Sequence, residues 1–283
     1  MSGTRDGLWW DLTKATGPPG GAPVVLLPPT SRNARYWPPA LISAIIGTGR
    51  AVVRVDLRGQ GRSVWGPTST MAALVEDVSG IQRSLASGPV HLLGAGLGGL
   101  VAQQMAIERP EAVSALTVIS SSGWYVDPGL PGSPEEIVAG IWLRRRMEST
   151  EETIRTLVRN EQALAGTGHF DEEATTAAVT NWVEHGFSGE DYHRELLVNT
   201  PDQKARLVEF LGPVLVVHGG ADPYLPVAHG AALTDSFPSA RLAVIERMGH
   251  GLPPGGAAEA IGIITGFLAG HPDQSTGPGG SAG

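Results

Sequence analysis

The sequence has no cysteine, which removes disulfides, thiolate nucleophiles and thiolate metal ligands together. Lysine is nearly missing too: Lys14 and Lys204 are the only two among 20 basic residues. The formal net charge is −8, and the longest basic run is Arg144 to Arg146. A nucleic-acid backbone needs a clustered positive surface, so nucleic acid is not an expected partner. No stretch reaches the ~18 uninterrupted apolar residues of a membrane-crossing helix. The N-terminus, "MSGTRDGLWWDLTK", lacks the charged-then-apolar order of a secretion signal. A soluble, cytoplasmic protein without a membrane partner is expected, as monomer or homodimer. The histidines outside the pattern described below share no spacing that fits a metal, and no cofactor is expected.

What is present is a regular alternation. Short β-rich runs exchange with amphipathic segments, the pattern of a mostly parallel sheet covered by helices, hence an α/β fold. "LWWDLT" and "APVVLLPP" read as strands, the second nearly all apolar, as a strand buried on both faces should be. A helix over about 39–47, the strand "RAVVRVDL", the helix "MAALVEDVSGIQRSLA" and the strand "PVHLLGA" follow. "LVAQQMAIERP" reads as a helix and "VSALTVIS" as another buried strand. From 122 to 204 the chain turns helical and more charged, which cannot extend a parallel sheet. That segment is expected to form a lid over the sheet's C-terminal edge, where open α/β sheets bind ligands. The core is then 1–121 and 205–270, with "PVLVVHGGADPYLP", "ARLAVIERMGHGLP" and a last helix, "AAEAIGIITGFLA". Residues 271–283 have the composition of a disordered tail.

One stretch raises the functional question. "VHLLGAGLGGL" runs from a strand into a glycine-rich turn and a helix, the setting of a nucleophile elbow, G-x-S-x-G. Here the five positions are Gly94, Ala95, Gly96, Leu97 and Gly98, so Gly96 stands where a serine hydroxyl belongs.

Together with "VDLRGQGRS", "VVHGGADPYLP" and "MGHGLP", in that order, this stretch resembles the α/β-hydrolase family from about residue 22 to 270. "HRELLVNTPDQ" and "MGHGLP" resemble most closely its branch of aclacinomycin methylesterase-like, polyketide-tailoring hydrolases. The resemblance implies that Asp222 is the acid and His250 the catalytic histidine, with Gly96 as the vacated nucleophile position. It also implies backbone oxyanion donors at Leu97 and, after the third strand, Thr30. The family's usual His-Gly pair before the latter is replaced by Pro28 and Pro29, which donate no N–H. Trp37, Trp65, Trp124 and Ser121 are candidate substrate contacts, and Ser120, Ser121 and Ser122 are candidate substitute hydroxyls. Asp56 and Arg58 in "VDLRGQGRS" read as scaffolding, and His91 and His218 as core histidines.

A carboxylate holding one imidazole nitrogen leaves the other free to accept a proton, with or without a serine. Glycine cannot form an acyl-enzyme. The favoured expectation is a cofactor-independent lyase or cyclase/isomerase acting on a small, apolar or polycyclic natural product, with His250 as acid and base. Two alternatives stand beside it. One is ester hydrolysis by directly activated water, by a substitute serine, or in a native serine enzyme whose nucleophile was replaced. The other is a catalytically silent protein that keeps the pocket as a receptor.

Overall fold

A computed structural model describes residues 2–5, 7–18, 20–64, 70–85, 88–142, 147–167, 170–187 and 193–271. Its strands are β1 (Ser2–Arg5), β2 (Leu8–Thr13), β3 (Val24–Leu27), β4 (Val52–Val55), β5 (Val90–Ala95), β6 (Val113–Ile119), β7 (Val214–Gly219) and β8 (Ala240–Ile245). The helices between and after them are α1 (Pro39–Gly47), α2 (Met71–Leu85), α3 (Leu97–Glu108), α4 (Glu135–Trp142), α5 (Thr150–Leu164), α6 (Glu172–Gly186), α7 (Arg194–Val198), α8 (Ala228–Asp235) and α9 (Ala258–Gly270).

The strands form one sheet in the order β1-β2-β4-β3-β5-β6-β7-β8. β1 and β2 run antiparallel at one edge, and every pairing from β4 to β8 is parallel. The expected α/β architecture is therefore present. β1 is an addition: its sequence, "SGTR", carries no apolar alternation, and its pairing with β2 places it in the sheet. β3 is shorter than the apolar run suggests, because Pro28 and Pro29 have no N–H to continue the ladder.

Period-two side-chain alternation explains why the central strands read as uninterrupted apolar runs. Val25 and Leu27 of β3 pack with residues of α2, α3 and α8, including Leu74, Val101 and Leu233. Val24 and Leu26 face the other way, toward Leu41 and Ile45 of α1 and Ile264 and Phe267 of α9. Each strand thus joins two separate cores. His91 of β5 is buried there, its Nε2 2.8 Å from Thr117 Oγ1, as expected of a core histidine.

Between β6 and β7 the chain carries α4 to α7. Ser149 and Asp171 cap α5 and α6, accepting hydrogen bonds from Glu152 N and Ala174 N. α6 is fixed to the core. Trp182 Nε1 donates to Arg35 O at 2.8 Å, and Asn33 Nδ2 donates to Trp182 O at 2.9 Å and Gly186 O at 3.1 Å. His185 Nε2 lies 2.8 Å from Asp56 Oδ2, both side chains being buried. Asp56 also accepts from Ala34 N and Arg62 N, while Arg58 makes a two-pronged ion pair with Asp77. These contacts give "VDLRGQGRS" its scaffolding role. Arg144 to Arg146, Trp65 and residues 272–283 of the expected tail, 271–283, lie outside the described residues.

Candidate active site

The strand-to-helix corner between β5 and α3 is built by close backbone approach. A Cβ on Gly94 would collide with the Gly98 carbonyl, and one on Gly98 with the Leu27 carbonyl. Both positions therefore require glycine. Gly96 between them has φ 49° and ψ −116°, a strained conformation that glycine adopts at little cost. Its surroundings are more open: a Cβ would meet Pro29 Cβ at 3.2 Å. Gly96 N donates to Ile119 O and Gly96 O accepts from Ser121 Oγ at 2.8 Å, so the corner is tied to the end of β6. Leu97 opens α3, where the first amides have no partner within the helix and the helix dipole is positive.

His250 follows β8 and Asp222 follows β7, which brings residues 28 apart in sequence together above the same sheet edge. His250 Nδ1 donates to Asp222 Oδ2 at 2.9 Å. The carboxylate partner on Nδ1 fixes the tautomer and leaves the Nε2 lone pair as the basic site. Asp222 is itself immobilised, its Oδ1 accepting from Tyr224 N at 2.9 Å and Leu225 N at 2.8 Å. Burial pushes the Asp222 carboxyl up, but His250, His218 and the Leu225 amide outweigh it and hold it below its ordinary range. His250 is fixed from two further sides: its backbone N–H donates to Leu164 O at 2.8 Å, and its ring meets Tyr224 edge-on at 4.9 Å.

His218 lies beneath the pair. Its Nε2 donates to Leu225 O at 2.8 Å, and burial pushes its pKa down so that the ring stays neutral. It is a core histidine, as its place within β7 implies.

Gly96, Leu97, Thr30, Ser121 and His250 line one cavity between the sheet edge and the inserted helices. Its walls also include Tyr36, Tyr125, Tyr224, Leu100, Leu197 and Leu225. Asn160, Glu161 and Leu164 reach it from α5. Two of the tryptophans expected there are elsewhere. Trp37 is buried in the core below α1, packed edge-on against Tyr36, and Trp124 lies beside Lys204, whose ammonium is 5.7 Å from its ring. The tyrosines supply the aromatic wall instead.

The three serines after β6 do not replace the missing hydroxyl. Ser120 Oγ accepts from Gly251 N, Ser121 Oγ donates to Gly96 O, and Ser122 Oγ donates to Trp124 O and lies 3.0 Å from His229 Nδ1. None bonds to His250. Thr30 lines the cavity, and its loop is pinned by Pro29 O, which accepts from Arg32 N and Gln60 Nε2.

Sequence reasoning missed an ion pair in the cavity wall, Arg32 with Glu161. Arg32 is stacked 5.0 Å from the Trp182 ring and donates to Ser31 O at 3.0 Å. Among the described residues no group of His, Cys, Asp and Glu could hold a metal ion, and no helix is long and apolar enough to cross a membrane.

Residues 24–261 match the alpha/beta hydrolase family. The chain belongs to that family. Rhodomycin D methylesterase DnrP of Streptomyces peucetius is 27% identical over 275 residues, covering 87% of this chain and 89% of its own. Pimeloyl-[acyl-carrier protein] methyl ester esterase of Cronobacter sakazakii is 28% identical over 244 residues, covering 86% and 90%. Among solved structures, the esterase RhEst1 from Rhodococcus sp. ECU1013 superposes with a TM-score of 0.74 at 23% identity, over 95% of this chain and 97% of that one. The two sequence relatives are named as ester-cleaving enzymes, support that a lyase or cyclase reading lacks.

Proposed function

We propose that this protein is a hydrolytic enzyme that cleaves an ester, most simply a methyl ester of a largely apolar small molecule, without an acyl-enzyme. The observation that carries the reading is the His250–Asp222 hydrogen bond beside a cavity whose corner residue, Gly96, offers no nucleophile. The space of a serine side chain there is left for water. His250 Nε2 takes a proton as the water oxygen bonds to the ester carbonyl carbon, the carbonyl oxygen collecting negative charge against the amides of Leu97 and Thr30. Collapse breaks the carbon–alkoxy bond, the His250 proton passes to the alkoxy oxygen, and acid and alcohol leave. Asp222 holds the tautomer and stabilises the imidazolium between the two transfers. General acid–base transfer supplies about 10²- to 10⁴-fold, and positioning in the cavity adds to it. The names of the similar methylesterases support the methyl ester, and the tyrosine and leucine walls support an apolar acid part.

A second reading keeps the same dyad. With no hydroxyl on Gly96, His250 could take a C–H proton of the substrate and drive elimination or ring closure. A panel of methyl esters in ¹⁸O-water separates the two by mass spectrometry. Hydrolysis places one ¹⁸O in the acid product, whereas elimination or cyclisation gives unlabelled product. Turnover that survives His250→Ala, or no product of any kind, overturns both.

A further inference from the structure

Tyr36 is a buried titratable group in the cavity wall that the mechanism above leaves unused. Tyr36 stands at the end of the short 3-10 turn Ala34–Tyr36, just before α1. Its hydroxyl oxygen accepts a hydrogen bond from Leu252 N at 2.8 Å. It also sits against the neighbouring residue: a Cβ built on Gly251 would come within 2.5 Å of the phenol oxygen. The hydroxyl is thus lodged in the loop that carries His250. A phenol can accept and donate, and here only the acceptor is used. Among the described residues no protein atom accepts the Tyr36 proton, although the residue lines the cavity together with His250 and Gly96.

A buried hydroxyl left half-used costs free energy unless something else takes its proton. Holding the ring in place does not need that proton, because packing against Trp37 and Trp182 and the Leu252 bond already do so. The conventional second donor region nearby is also weakened, since Pro28 and Pro29 have no N–H.

We propose that Tyr36 is a catalytic residue whose hydroxyl donates a hydrogen bond to the leaving-group oxygen of the ester, beside the imidazole that delivers the proton. The assignment rests on the hydrolytic reading above. No proton is transferred from Tyr36; the hydrogen bond steadies the alkoxy oxygen while its bond to carbon breaks and His250 protonates it. Burial keeps the phenol pKa well above its usual value, against the opposing pull of the Leu252 amide, so the group remains a neutral donor across the working pH range.

The dependence on leaving group tests this. Full-length protein and its Tyr36→Phe variant are assayed with methyl benzoate, whose methoxide is a poor leaving group, and with p-nitrophenyl benzoate, whose phenolate leaves unaided. Loss of the donor should lower kcat for the methyl ester about 10²-fold, the effect of removing one transition-state donor, with little change in KM. The p-nitrophenyl ester should be cleaved at nearly the wild-type rate. If both esters slow equally, or neither does, the Tyr36 assignment is overturned, while loss of turnover in His250→Ala still upholds the hydrolytic reading. If wild-type protein cleaves neither ester, the hydrolytic reading falls and this proposal falls with it. Should Tyr36→Phe not fold, 3,5-difluorotyrosine at position 36 preserves the Leu252 bond while making the phenol more acidic. The alkaline limb of the methyl-ester profile then moves to lower pH and that of the p-nitrophenyl ester does not; identical profiles overturn the assignment.

Discussion

Arg32, on the loop after β3, ion-pairs with Glu161 of α5, joining the sheet core to the inserted helices through side chains that are only 9% and 10% exposed. A pair so enclosed gives up much of its hydration, and its loss is felt asymmetrically. Glu161→Ala should strand the guanidinium and cost about 3 kcal/mol, the lower side of breaking a buried pair because some solvent reaches both groups. The double variant Arg32→Met, Glu161→Leu should regain most of that stability, since apolar residues of similar volume need no counter-charge. Urea unfolding midpoints of the three proteins check the order. A double variant as weak as Glu161→Ala would mean that packing against Trp182, not charge, is what the pair provides.

Restoring a hydroxyl at the corner is a separate experiment. Gly96→Ser asks an L-residue to adopt φ 49° and asks Pro29 to yield a few tenths of an ångström from a 3.2 Å contact. The strain should cost about 1–3 kcal/mol. If the corner is a vacated nucleophile site, the variant gains a covalent step despite that cost. A fluorophosphonate should label the introduced hydroxyl of the Gly96→Ser protein, located by peptide mass spectrometry, and should leave the wild type unlabelled. An unlabelled variant that is folded by circular dichroism would show that the corner and His250 are not in register.

Two buried groups, His218 beneath the site and Asp222 within it, shape the acid limb of stability. His218 has a lowered pKa in the folded state, so folding excludes a proton that the unfolded chain binds. Its contribution is present above the unfolded value of about 6.5 and is lost as pH falls toward the folded one. Asp222 is also lowered, so its contribution is present above about 3.9 and is lost at still lower pH. The unfolding midpoint should therefore decline in two stages, beginning below about pH 6.5 and steepening below about pH 4. His218→Gln, which can still donate to Leu225 O, should remove the first stage and keep the second. Thermal melts across the acidic and neutral range read both.

Much of the site is legible in the sequence because it is local. The β5 corner announces itself through Gly94 and Gly98, whose absent side chains are a steric demand within a single turn. Asp222 and His250 each follow a strand, so the parallel order of β7 and β8 carries them to one edge. The wall of the cavity is not legible in that way. Arg32 and Glu161 are 129 residues apart, and no local pattern couples a loop after β3 to one face of α5. Trp37 has the place after the oxyanion loop that a wall residue would take, but the 3-10 turn ending at Tyr36 gives the cavity to Tyr36 and the core to Trp37. A one-residue rotation in a short turn decides between them, and hydrophobicity alone does not record it. The edge strand β1 escapes sequence reading for a related reason: its identity comes from the ladder with β2, not from its own residues.

The carboxylate's part in catalysis can be separated from its part in folding. Asp222 accepts three hydrogen bonds, from His250 Nδ1, Tyr224 N and Leu225 N. In Asp222→Asn the amide oxygen can still serve the two backbone donors, so the loop after β7 keeps its shape. The amide nitrogen then faces His250 Nδ1 as a donor, which favours the tautomer protonated on Nε2 and withdraws the base from the cavity. Ester turnover should fall about 10²- to 10⁴-fold, with the thermal midpoint at neutral pH lowered far less than in Asp222→Ala, which removes the acceptor for both amides. If Asp222→Asn kept wild-type turnover, the imidazole would be acting without a fixed tautomer, and the reaction assigned to it would have to run through other groups in the cavity.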